Sequence, residues 1–332
     1  MSDLYPLLML PDFRERPWGA RDLSPIYPNY KVEKDPIGEV WLTGDECRVA
    51  NGPLAGQTLS DLCKQYGREL TGEAAPEPHR FPLLLKFLFP REKLSVQVHP
   101  TDEDARRAGL PCGKSECWYV VAAEAGAEVG LGLKPGTSRT DFAAAVRRGE
   151  RADNLLNWIS IRPGEMIYNP AGTVHAIGPS SILMETQQNS DTTYRLYDYG
   201  RPRELHLEAG LAAMKEKTAA CKLQLAGDEE MKSLSFSPHF HVFYSRGDKL
   251  LTSGNDPGYS WSSVEVVVGL QGCGVIEAEG LAPVAFGRGE AVVVPAFVQD
   301  FFVRPQWTAE FLMITVPPAA AVKAQRASKE PA

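Results

Sequence analysis

The chain has 332 residues, of which 43% are hydrophobic, with 26 prolines and 29 glycines. That is enough for two packed cores, or one large one, joined by many turns. A formal charge of −7 argues against nucleic-acid or anionic-membrane partners, while leaving room for an anionic small substrate in a local basic pocket. None of the six cysteines (Cys47, Cys63, Cys112, Cys117, Cys221, Cys273) forms a CxxC pair, and MSDLYPLLMLPDFRERPWG lacks a basic region followed by a sustained apolar core. The expectation is therefore a cytoplasmic protein with reduced thiols, no signal peptide and no membrane span.

In chain order, residues 1–45 read as short turn-rich pieces with one strand in IGEVWLTG. QTLSDLCKQYGREL (57–70) has helical spacing, and TGEAAPEPHR (71–80) is a loop. FPLLLKFLF (81–89) is an apolar run interrupted by Lys86, a buried strand whose one charge needs a partner. LSVQVHP (94–100) is a second strand. Helices are predicted at TDEDARRAG, SRTDFAAAVRRGE (138–150) and ELHLEAGLAAMKEK (204–217), the first two opening on a hydroxyl cap. ECWYVVAAEAGAEVGLGL and WISIRPGEMIYNPAGTVHAIG read as strands, and from 218 onward the composition is strongly β. The tail 317–332 is predicted to lack structure.

RPGEMIYNPAGTVHAI and GRGEAVVVPAFVQDFF repeat each other at a shift of 125, pairing Gly164 with Gly289 and Pro170 with Pro295. Two copies of a strand–turn–strand unit imply two similar β-barrels. The second copy has Asp300 where the first has His175, and the alignment sets Val264, beside Glu265, opposite Glu116. The expected organisation is a metal-binding catalytic unit at 1–217, a second, metal-free unit at 218–316, and the tail.

Gln97 and His99 stand two apart in a strand, so both project from one face. Glu116 and His175 can complete an oxygen and nitrogen set that suits Zn²⁺ or another divalent ion. Each alone has an ordinary explanation: a hydrogen-bonded strand histidine, a surface carboxylate, a loop histidine. Together and in order they make a metal site. His239-x-His241 lacks such company and is read as structural.

The spacing Gly164-x₅-Pro170-x₄-His175 resembles a cupin signature, and with it WGARDL (18–23), LLLKFLFPREKLSVQVHP (83–100), GKSECWY (113–119) and METQQNSDTTYRLYDYGR (184–201) resemble the short bacterial type I mannose-6-phosphate isomerases. That resemblance implies an all-β-dominated protein of two cupin (jelly-roll) barrels with a few short helices. It makes Gln97, His99, Glu116 and His175 the ligands of one Zn²⁺ and Arg195 the catalytic arginine, with Asp191 and Lys114 beside it. Lys86 and Ser95 match positions tied to the substrate phosphate, and Arg201 stands where longer relatives have a lysine. The implied activity interconverts mannose 6-phosphate and fructose 6-phosphate through a cis-enediol, in a monomer or homodimer whose partner is a sugar phosphate. Lys114, Asp191 and a metal-bound water all remain as proton shuttle, with Glu185 a further candidate. The other readings are an isomerase of a free sugar such as mannose, a cupin dioxygenase, and a non-catalytic sugar-binding protein with two barrels.

Overall fold

The structure, a computed structural model, describes residues 3–223, 231–252 and 263–327. Two antiparallel sheets form the first barrel. One has seven strands in the order Cys221–Leu223, Met166–Asn169, Glu116–Ala123, Ser181–Gln188, Leu83–Leu88, Ile37–Trp41 and Asp12–Ala20. The other has five: Tyr194–Tyr197, Val96–Val98, His175–Ile177, Glu128–Leu133 and Leu156–Ser160. A third sheet makes the second barrel. Its long strands Glu265–Ala278 and Phe301–Thr315 pair along their length, and bulges around Gly269–Cys273 bend them so that one sheet encloses a core of Val267, Ile276, Val303, Phe311 and Met313.

Alternation along the strands assigns the faces. Leu83, Leu85 and Phe87, with Cys117, Tyr119 and Met184, pack outward against Val266, Val268, Val293, Leu312 and Ile314 of the second barrel. Leu88, Trp118, Val120 and Leu183 point the other way and fill the first barrel with Val129 and Ile177. LLLKFL is apolar at every position but Lys86 because this strand is buried on both faces. Across the barrel, Val96 and Val98 pack under the helices Arg139–Arg147 and Leu207–Ala213. Gln97, between them, is thereby aimed into the barrel.

Several elements differ from the sequence reading. RERPWG lies within the strand Asp12–Ala20, and Pro17 is tolerated there because this strand is the sheet edge. The helix expected over 57–70 breaks into Leu59–Tyr66 and Arg68–Thr71 at Gly67, whose φ of 51° a helix interior does not allow. Leu7–Leu8 joins the second barrel by pairing with Val292 and Val293, while Cys221–Leu223 joins the first through Met166–Tyr168, so strand pairing runs across the 217/218 division in both directions. The tail is not structureless throughout: Ala319–Ala327 is a helix, started by Pro317 and Pro318 and carried by alanines. Residues 328–332 lie outside the described residues. The repeat is real in register, and corrects the alignment: Glu116 faces Asn169 as Glu265, not Val264, faces Val294. Among the described residues no helix is long and apolar enough to cross a membrane, and no disulfide joins any of the six cysteines.

Leu7 is fully buried where the N-terminal strand meets the second barrel. Leu7→Ala is expected to lower stability by about 2–5 kcal/mol through the lost contacts and the cavity left behind, measured as the shift of the urea-unfolding midpoint.

Candidate active site and metal centre

Register brings the site together. In the five-stranded sheet Arg195, Gln97 and His175 stand directly opposite one another on three adjacent strands. Residues so placed share a face with Cβ atoms about 5 Å apart, and His99 and Ser95 lie two positions either side of Gln97 on that face. In the seven-stranded sheet, one cross-strand row holds Gln187, Glu116 and Asn169, and another holds Lys86, Glu185 and Trp118. The two faces look at each other across the barrel.

His99, Glu116 and His175 are buried, with ligand atoms all within 4.8 Å of one another. His99 Nε2 lies 3.4 Å from one Glu116 oxygen and His175 Nε2 lies 3.2 Å from the other. Each imidazole is oriented from behind: Nδ1 of His99 is 2.9 Å from the Thr192 carbonyl, and Nδ1 of His175 is 2.9 Å from the Thr173 carbonyl. A carbonyl can only accept, so both Nδ1 atoms carry the proton and both Nε2 lone pairs face inward, as metal-binding histidines are arranged. Burial, then the charge of Lys114, pushes His99 down to about 3, and burial lowers His175 as well. Burial alone would push Glu116 up; Lys114, with Nζ 3.3 Å away, and then the histidines hold it well below the carboxylate range. Neutral imidazoles around an ionised carboxylate are the protonation states a cation requires. His99 Nε2 and Glu116 Oε2 are moreover buried without a hydrogen-bond partner, a loss that a bound cation would make good. The donor set fits a divalent metal.

Beside this centre lies a cavity of about 420 Å³. Arg16, Lys86, Lys114, Arg195 and Arg203 face it, against the carboxylates of Glu15, Glu39, Glu185 and Asp191. An acidic protein thus carries a pocket whose cations outnumber its carboxylates, before any metal is counted.

The pattern of the phosphomannose isomerase type I catalytic domain matches residues 11–128. A mannose-6-phosphate isomerase of Bacillus subtilis is 41% identical over 221 residues, 63% of this chain and 68% of that protein. A probable mannose-6-phosphate isomerase of the same organism is 33% identical over 324 residues, 93% of this chain and 98% of that one. The chain belongs to the type I phosphomannose isomerase family. It is an enzyme, an isomerase of cupin fold. The crystal structure of a mannose 6-phosphate isomerase from Bacillus subtilis superposes with a TM-score of 0.81 at 30% identity, covering 93% of this chain and 99% of that one. A variant of the phosphomannose isomerase from Salmonella typhimurium, at 15% identity and a TM-score of 0.74 over 94% of this chain and 99% of that one, shares the fold.

Within this isomerase the expected site residues do not all stand alike. Gln97 is at the centre, but its Nε2 is turned to His175 Nε2 at 3.1 Å, while its Oε1 accepts from Ser95 Oγ at 3.2 Å. Lys86, Ser95, Lys114, Asp191 and Arg195 all line the cavity. Lys86 is engaged on both sides, 2.8 Å from Glu185 and 3.8 Å from Glu39. Burial would lower its pKa; the two carboxylates more than reverse that and raise it above the lysine range. Glu39 in turn is pushed up by burial but brought to about 2 by Lys86 and Arg16, with hydrogen bonds from Trp41 and Arg16. Arg201 is not among the lining residues. Its Nη2 donates to the Lys93 carbonyl at 2.6 Å and its Nε to Asp198 at 3.1 Å. Cys112 and Cys117 stay outside the metal group, as do His239, whose Nδ1 lies 3.9 Å from Asp102, and His241, whose Nε2 is 2.8 Å from Ser233 Oγ.

Arg16, Glu39, Arg203 and Asn169 escaped the sequence reading. Asn169 had one usable signal, its place next to Pro170 in the repeat, where the second barrel has Val294. Its Nδ2 donates to Glu116 Oε1 at 2.8 Å. Asn169→Ala should weaken divalent-metal affinity by about 10–100-fold, as loss of a group that orients a ligand does; competition with a chromogenic chelator measures it.

Proposed function

We propose that this isomerase interconverts mannose 6-phosphate and fructose 6-phosphate by moving a proton between C2 and C1 through a cis-enediol. The observation that carries the reading is the placement of Arg195, in register with Gln97, at the junction between the metal-competent group and the cationic cavity. His99, Glu116 and His175 would hold the metal, and Gln97 would join them with its amide turned over to present the oxygen. Zn²⁺ is the ion this nitrogen and oxygen set suits best. When bound, such an ion supplies Lewis acidity for two adjacent sugar oxygens.

The chain's own residues do the rest. Arg195 keeps a guanidinium at the mouth of the centre, where it stabilises the charge that develops on the enediolate oxygen. Glu204 steadies it, its carbonyl accepting from Arg195 Nη1 at 2.9 Å. Lys114 is fixed against Glu116 and lines the cavity, so its Nζ stands beside the reacting oxygens. Asp191 carries the migrating proton. Glu39 and Glu185, the buried carboxylates of the wall, are tied to Lys86, whereas Asp191 lines the cavity with no ion pair among the described residues. Ser95, Arg16 and Arg203 receive the phosphate end, and Trp18 and Leu94 border the sugar.

The purified protein should convert mannose 6-phosphate to fructose 6-phosphate in a coupled assay, lose this on chelation and regain it with Zn²⁺. Full activity in His99→Ala, or none in the metal-loaded wild type, would sink the assignment. Asp191→Asn should lower kcat by about 10²–10⁴-fold while metal content stays at the wild-type level; an unchanged kcat would move the proton to Lys114.

A further inference from the structure

The loop that follows the Arg195 strand carries two arginines that share one buried carboxylate. Asp198 is held bidentately by Arg203, Nε to Oδ2 and Nη2 to Oδ1, both at 2.7 Å. Arg201 also reaches Asp198 Oδ1, with Nη2 at 2.9 Å. Both carboxylate oxygens are therefore taken up within the loop, and neither is left to screen charge facing the cavity. Arg201 donates to the Lys93 carbonyl and lies over the face of Tyr199, while its Nη1, 3.7 Å from Glu92, is buried without a hydrogen-bond partner and away from the cavity lining. Arg203 and, on the preceding strand, Arg195 line the cavity, as Arg16 does from the edge strand of the facing sheet. Arg203 has its Nη1 to offer, since only Nε and Nη2 are engaged by Asp198, and Arg195 has a buried Nε with no partner. The chain turns into this arrangement through Tyr199, a non-glycine residue at φ 55°, and Gly200 at φ 82°. A bulky residue held in the left-handed region needs its surroundings to impose it, and such strain collects at ligand clamps.

We propose that Arg203, and not the catalytic Arg195, is the guanidinium that receives the substrate's phosphate, and that Asp198 is the positioning residue that aims it. This rests on the sugar-phosphate reading of the cavity. A guanidinium held by a carboxylate through Nε and Nη2 keeps Nη1 for a phosphate oxygen, a charge-assisted contact at the cavity wall. The position expected from the motif, Arg201, instead ties the loop to the barrel wall.

The test uses the metal-loaded protein, with inorganic phosphate as probe in calorimetry and mannose 6-phosphate in steady-state kinetics. Arg203→Ala should weaken phosphate binding and raise KM, each by at least about 10-fold, the loss of one charge-assisted contact. Its kcat should stay near the wild-type value, since the contact is made equally in ground and transition states. Arg203→Lys keeps a cation against Asp198 and should recover part of the affinity, which separates a lost contact from a collapsed loop. Wild-type phosphate affinity in Arg203→Ala, a KM rise confined to Arg201→Ala, or a fall in kcat with KM unmoved would each overturn this role for Arg203. Phosphate binding that depends on Arg203 in a protein unable to isomerise mannose 6-phosphate would refute the activity and leave the phosphate contact standing.

Discussion

Everything in this molecule is arranged around one ionised carboxylate in a dry place. Glu116 is fully buried, and a lone carboxylate there would take up a proton. It remains charged because Lys114, two residues earlier and also buried, stands 3.3 Å away. Two neutral imidazoles complete a surround suited to a cation. The carbonyls of Thr192 and Thr173 set both histidine tautomers, so the loops carrying them serve the centre as directly as the ligands do.

The second barrel shows what that surround accomplishes. Glu265 occupies the same register position as Glu116, at the start of the matching strand and opposite the matching residue. There the partner is Val294 in place of Asn169, and Asp300 replaces His175. Burial alone pushes the Glu265 carboxyl up to about 7. One scaffold thus shifts a carboxylate in two opposite directions, decided by its neighbours. The second barrel contributes instead a large apolar face, through which the seven-stranded sheet is buried on its outer side. That support keeps rigid the strands that carry Lys86, Glu116 and Glu185.

Charge in the cavity follows a similar logic. Lys86 sits at 3% exposure between two carboxylates, and breaking such a buried pair costs about 3–5 kcal/mol. Its charge is therefore committed to holding the wall together. The arginines of the loop after Tyr197 are more exposed, and the geometry divides them, with Arg201 bound into the wall and Arg203 facing the space.

The sequence by itself determined the metal-competent group, because its members sit in short motifs whose local geometry is nearly automatic: alternation in LSVQVHP, a strand start at Glu116, a glycine–proline turn before His175. It also determined the two-barrel plan, since the repeat preserves Gly164 and Gly289, both at positive φ where the turn demands it. The tertiary structure alone decided that Asn169 holds Glu116, that Lys86 is matched by Glu39 and Glu185, that the N-terminal strand belongs to the far barrel, and which of two arginines two residues apart faces the cavity. Each of these depends on the register between strands distant in the chain or on how a loop folds back, and a difference of one or two positions there exchanges inside for outside without changing any local pattern.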